Sequence, residues 1–164
     1  MTISLKADSS GTFGEVLVNG SPALKVSNGL LELPDGKDFF NQGNIVGTVS
    51  QSGGIPTGAV VERGSNANGE YVRFADGTQI CRWYITFGSI GIASSLSASR
   101  TFPAEFVVTP QTIVSVGAGS YAEFVISSAS TSSATGFTAW VRNVHSTATP
   151  SGVNVHWMSI GRWF

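Results

Sequence analysis

The chain closes on the run Val153-Asn154-Val155-His156-Trp157-Met158-Ser159-Ile160-Gly161-Arg162-Trp163-Phe164, which alternates like a β-strand yet offers apolar groups to both sides. Successive side chains of a strand point to opposite faces, so Val153, Val155, Trp157 and Trp163 share one face. Met158, Ile160 and Phe164 share the other with His156 and Arg162. An ordinary edge strand keeps one face wet. This one calls for cover on both sides, and the expected second cover is another copy of the chain.

Composition narrows the choice further. A length of 164 residues favours one domain with a small appendage. Charged residues make up 12% of the chain, about half the usual ~25%. With 41% hydrophobic residues and 20 glycines, that low charge points to closely packed strands and tight turns rather than disorder. A net charge of −1 provides no field to gather a polyanion, which argues against a nucleic-acid partner. Cys81 is the only cysteine, so no intrachain disulfide framework is possible. The opening Met1-Thr2-Ile3-Ser4-Leu5-Lys6-Ala7-Asp8 lacks the basic-then-apolar pattern of a signal peptide. No run approaches the ~20 apolar residues of a membrane helix, so membrane insertion is not expected.

No sustained i, i+3, i+4, i+7 pattern marks a helix. Residues 3–33 read as four short strands instead, broken at Ser9-Ser10-Gly11, Asn19-Gly20, Asn28-Gly29 and Pro34-Asp35-Gly36. Strands this short are marginal alone, so residues 1–40 are expected to form a β-rich attachment or stalk region, either frayed or intertwined with other copies. Residues 41–56 read as a linker with one short strand, Ile45 to Val49, and Gly53-Gly54 and Pro56 mark its end. A head over 57–164 follows. Its most secure feature is the pair of strands Glu70–Ala75 and Thr78–Thr86 around Asp76-Gly77, a type I′ hairpin signal. Further strands are expected at Phe106–Val108, Thr112–Val116, Glu123–Ile126, Gly136–Arg142 and Val153–Ile160. Their number and spacing predict an all-β, antiparallel β-sandwich.

Gly53 to Cys81 resembles the opening of C-terminal domains in tailed-phage tail-fibre and receptor-binding proteins. Phe102-Pro103-Ala104 with Phe106 and Thr109-Pro110, then Gly136-Phe137-Thr138 and the closing Trp157-Met158-Ser159-Ile160-Gly161, form a skeleton similar to H-type lectin domains. Leu5-Lys6-Ala7-Asp8 with Gly11-Thr12 and Val18-Asn19-Gly20 looks like virion fibre sequence. The resemblance implies an H-type-lectin-like head that trimerises and binds sugars near subunit boundaries. It also implies an N-terminal region that docks on other virion tail or fibre proteins, and a virion location after synthesis in the host cytoplasm. Sugar-binding members carry a carboxylate in the loop after the Gly-Phe-Thr strand. Here Arg142-Asn143-Val144-His145-Ser146-Thr147 has none, so the fold carries over and the galactosamine-type ligand does not.

Glycan recognition needs an aromatic face for the sugar's C–H surface and planar polar groups for its hydroxyls. Alternation on Phe137–Arg142 puts Trp140 and Arg142 on one face, beside a loop with Asn143 and His145. These four residues, with Tyr121 at the rim, are the expected ligand cluster, although Trp140 and Arg142 suit a subunit interface equally. Trp83 and Tyr84 with Arg82 offer a second platform or a piece of core and interface. His145 and His156 have no cysteine or carboxylate at ligand spacing, so no metal site is expected within one chain. After Asp76 the only acids are Glu105 and Glu123, on different predicted elements, which does not suit a glycosidase pair. No nucleophile elbow or phosphate-cradling loop is present either. The expectation is therefore a receptor-binding protein of a tail fibre or tail tip. It would be homotrimeric, not an enzyme and without cofactor, and would adhere to a host lipopolysaccharide or capsule glycan. The alternative is a fibre cap or decoration protein that binds no glycan.

Overall fold

The computed structural model describes residues 3–7, 13–19, 21–27, 30–32, 42–117, 125–131 and 133–164. The chain divides into two compact units, Met1–Gly43 and Asn44–Phe164. In the first, β1 (Ile3–Ala7), β2 (Phe13–Val18), β3 (Ser21–Ser27) and β4 (Leu30–Glu32) form an antiparallel meander in sequence order. The hairpin expected at Asn19 is present: Val18 pairs with Ser21, and Asn19 takes the left-handed φ of 50° that such a turn requires. The other expected breaks, at 9–11, 28–29 and 34–36, lie outside the described residues.

A single helical turn, α1 (Gln42–Ile45), stands where the sequence suggested the start of a strand. Val46 then bridges Val61 in parallel. Gly47 N donates to Val61 O at 2.9 Å, Ala59 N donates to Thr48 O at 3.0 Å, and Val49 N donates to the Glu62 carboxylate at 2.9 Å. Val49 and Ala59 are buried by these contacts. Between them β5 (Gln51–Ser52) and β6 (Ile55–Pro56) form a two-stranded ribbon.

Two antiparallel sheets make the body of the second unit. One contains β7 (Val61–Asn66), β8 (Gly69–Phe74), β9 (Thr78–Phe87), β11 (Gln111–Val116) and β14 (Val153–Arg162), in the order β11-β14-β9-β8-β7. The other contains β10 (Ser95–Thr101), β12 (Val125–Thr131) and β13 (Gly136–Asn143), in the order β10-β13-β12. Their facing sides hold the core. Ile85, Val153, Val155 and Trp157 come from the larger sheet, and Val125, Phe137, Ala139 and Val141 from the smaller. Phe102 and Phe106 enter from the connection after β10. Phe102 stacks on Phe137 with ring centres 5.6 Å apart, and Phe106 meets Phe102 edge-on at 5.0 Å. Burying four such aromatic side chains, Trp157 included, supplies much of the hydrophobic drive.

The sandwich expectation holds, with three local differences. The β8–β9 hairpin is present, but its turn is not type I′. Gly77 N donates to Phe74 O at 3.0 Å and Gly77 has φ 93°, while Asp76 is not among the positive-φ residues; a I′ turn needs both central residues there. Thr78 N donates to Asp76 Oδ1 at 2.8 Å, and this bond holds the Asp76 carboxyl below its ordinary value. Phe106–Val108 is not a strand: Phe106 turns inward as a core plug, and Val107 N makes a bond to Arg162 O at 2.8 Å. β10 is a strand although Ser95-Leu96-Ser97-Ala98-Ser99 carries little apolar alternation. Its register against β13, Ser95 with Arg142 through Thr101 with Gly136, holds it in place.

Candidate functional site

β13 sends Phe137, Ala139 and Val141 inward and Trp140 and Arg142 outward, the alternation expected from the sequence, and runs one residue farther than expected, so that Asn143 also turns inward. Trp140 is 47% exposed. Its cross-strand neighbours are Ser97 on β10 and Ser128 on β12, both exposed, and Arg142 lies opposite Ser95. One pair farther along, Ser99 and Thr138 share a hydroxyl–hydroxyl hydrogen bond of 3.1 Å. The outer face of the smaller sheet thus sets a serine on either side of the indole, and Arg142 between Ser95 and Ile126. A depression of about 300 Å³ lies between Ser95, Ser128, Trp140 and Arg142.

Asn143 and His145, expected in the same cluster, are engaged elsewhere. Asn143 is fully buried. Its amide nitrogen donates to Ala148 O at 2.8 Å, Gly91 O at 3.1 Å and Ile90 O at 3.2 Å, and its Oδ1 accepts from His145 N at 2.8 Å. Every polar atom of its side chain is used in tying the 143–148 loop to the segment after β9, so Asn143 is corrected from ligand to loop anchor. His145 is half-buried and turns its Nδ1 back onto the loop, accepting from Ala148 N at 2.8 Å and Thr147 N at 3.0 Å. That nitrogen is an intraloop acceptor. Tyr121 lies outside the described residues.

The second aromatic platform is more developed than the sequence suggested. Trp83 and Tyr84 on β9 are 41% and 45% exposed and stack with ring centres 5.3 Å apart at 23°. His156 on β14 pairs with Tyr84 across the strands, its ring 6.1 Å away. Arg82 pairs with Glu70 on β8, and their charged ends meet at 2.5 Å. These groups line a cleft of about 450 Å³ on the larger sheet, with Ser115 and Met158 on its other side. A neighbouring depression of about 420 Å³, lined by Arg63, Ser65 and Val72, shares the Glu70–Arg82 pair. Glu70 was not singled out by sequence reasoning. Only the β8–β9 register brings it beside Arg82, and no spacing along the chain announces that.

On the outward face of β14, Ile160 is 40% exposed and His156 and Arg162 are exposed, and Ile113 on the adjacent β11 is 60% exposed. Among the described residues, no three His, Cys, Asp or Glu side chains are grouped to hold a metal ion. Among the same residues, no helix is long and apolar enough to cross a membrane.

No family model matches the chain, and no curated protein matches it. Solved structures do match. A Pseudomonas aeruginosa R1 pyocin fibre fragment comprising its C-terminal residues aligns with a TM-score of 0.52 at 18% identity, covering 62% of this chain. Over that part the fold is similar to that of the fibre fragment. An N-truncated R1-type pyocin tail fibre aligns with a TM-score of 0.51 at 18% identity, covering 62% of this chain and 84% of its own. The match spans 28% of the first fibre fragment. At this identity the likeness is one of fold.

Proposed function

We propose that this chain is the receptor-binding part of a tail fibre or tail tip, adhering reversibly to a host-surface glycan such as lipopolysaccharide or capsule. The observation that carries the reading is the outer face of the smaller sheet. An indole 47% exposed sits between two serines, with a guanidinium two residues along the same strand, on a fold similar to that of pyocin tail fibres. A subunit contact would be expected to surround Trp140 with apolar groups, and hydroxyls suit a hydrated sugar better. On this reading the head is an H-type-lectin-like homotrimer, and weak single sites act together through effective concentration. The N-terminal unit attaches it to other virion tail or fibre proteins. The proposal is of binding without turnover.

The test is a double substitution, Trp140→Ala with Arg142→Ala, read by adsorption to host cells and by solution mass from light scattering. Adsorption should fall at least tenfold with the mass unchanged and near 51 kDa, about three times the 17.1 kDa chain. Loss of the assembly instead would make these residues interface and favour the fibre-cap reading. Release of product from purified polysaccharide would overturn binding without turnover.

A further inference from the structure

We infer that the cleft at Trp83 and Tyr84 is a second saccharide site, distinct from the Trp140 face, which seats one pyranose ring with two adjacent hydroxyls on the Glu70–Arg82 pair. The inference rests on the glycan reading above but not on Trp140. A pyranose offers a C–H face to an aromatic ring and a rim of hydroxyls that both donate and accept. The stacked Trp83–Tyr84 pair supplies the aromatic surface. Glu70 only accepts and Arg82 only donates, and they meet at 2.5 Å, so an acceptor and a donor stand side by side as a vicinal diol requires. Both remain open to solvent, with side chains 40% and 67% exposed. The structure gives neither another side-chain partner among the described residues.

The cleft volume of about 450 Å³ is in the range of small-molecule sites. Because the adjoining depression of about 420 Å³ shares the ion pair, a saccharide longer than one residue can continue from β9 toward β7. A second copy of the chain is the less suitable occupant. It would have to strip water from Glu70, Arg82, His156 and the Tyr84 hydroxyl, a cost that a hydrated sugar avoids.

The full chain is screened against immobilised bacterial lipopolysaccharides and capsular polysaccharides. A short oligosaccharide released from the tightest binder is then titrated calorimetrically against wild type, Tyr84→Ala, the Glu70→Gln/Arg82→Gln double variant and Trp140→Ala. Two oligosaccharides per chain are expected for wild type and one for each variant, with solution mass and urea midpoint unchanged. In the Trp140→Ala background, periodate cleavage of the sugar's vicinal diols should remove the remaining binding. One site per chain that survives both cleft variants overturns the cleft and leaves the glycan reading standing. A single site lost in the cleft variants but kept in Trp140→Ala upholds the cleft and removes Trp140. If a cleft variant lowers the solution mass, the surface is a subunit contact and the inference falls. If wild type binds no glycan at all, the inference and the functional reading fall together.

Discussion

Replacing Asn143 with alanine tests whether this side chain is the anchor of the 143–148 loop. The substitution removes hydrogen bonds to Ala148 O, Gly91 O and Ile90 O and from His145 N, at 2.8, 3.1, 3.2 and 2.8 Å. The bond from the backbone, Asn143 N to Ser94 O at 3.0 Å, stays. Each lost bond contributes about 1 kcal/mol net, and two of the donated bonds must share one N–H, so the sum is about 3–4 kcal/mol. That is a factor of more than a hundred in the folded-to-unfolded ratio, a large part of a typical domain's stability. Urea unfolding followed by tryptophan emission reads the right unit, because Trp83, Trp140, Trp157 and Trp163 all lie in Asn44–Phe164. The midpoint should fall steeply with the slope unchanged. A loss below about 1 kcal/mol would falsify the anchor assignment, since a ligand residue at an exposed rim would cost little.

Two further substitutions test the packing and the one buried thiol. Gly161→Ala would set a Cβ 2.8 Å from Phe106 Cδ1 and 2.9 Å from Pro110 Cβ, and should destabilise by about 1–3 kcal/mol in the same assay. Gly88→Ala, with nothing within 4 Å, should be near neutral; equal losses at both positions would refute the packing argument. Burial pushes the Cys81 thiol up to about 11. Unfolded, it ionises near 8.5, so between those values the unfolded state holds fewer protons and stability falls as pH rises. Tyr71, whose phenol donates to Glu62 at 2.9 Å and is raised by that bond, acts in the same direction at higher pH. Unfolding midpoints at pH 8 and pH 10 should therefore diverge in wild type and diverge less in Cys81→Ala. A decline of the same size in both would remove the thiol from the account.

The strands that span the core were legible because burial on one side forces period-2 alternation. The inward sets Phe137, Ala139 and Val141 of β13 and Val153, Val155 and Trp157 of β14 were read correctly. β10 did not, because its outer face is serine and of its side chains only Ala98 is even half-buried; it is a strand by hydrogen-bonding to β13. Asn143 was misassigned for a related reason. A polar residue beside an aromatic and an arginine reads as surface chemistry, and its actual partners are backbone carbonyls some fifty positions away, at Ile90 and Gly91. Sequence spacing carries no signal for a bond to a carbonyl. The Glu70–Arg82 pair was hidden likewise, since it exists only through the register of β8 on β9.

On the proposed reading, the outer faces of the two sheets would carry two roles that the sequence left joined. Trp140 and Arg142 fitted a subunit contact as well as a ligand, because the same residue types serve both. Their cross-strand neighbours are mixed: Ser97 and Ser128 flank Trp140, and Arg142 stands between Ser95 and Ile126. Other apolar groups lie in Ile113, Met158 and Ile160 across β11 and β14, at the side of the larger sheet away from β7. Ile113 and Met158 line the cleft itself, so burial of the Ile160 end, 40% exposed, by another copy would give the last strand its second cover without filling the cleft. It would also leave the Glu70–Arg82 end of the same face open to solvent. Assembly and recognition then draw on different chemistry along one sheet, so substitutions at Ile160 should lower the solution mass and substitutions at Arg82 should not.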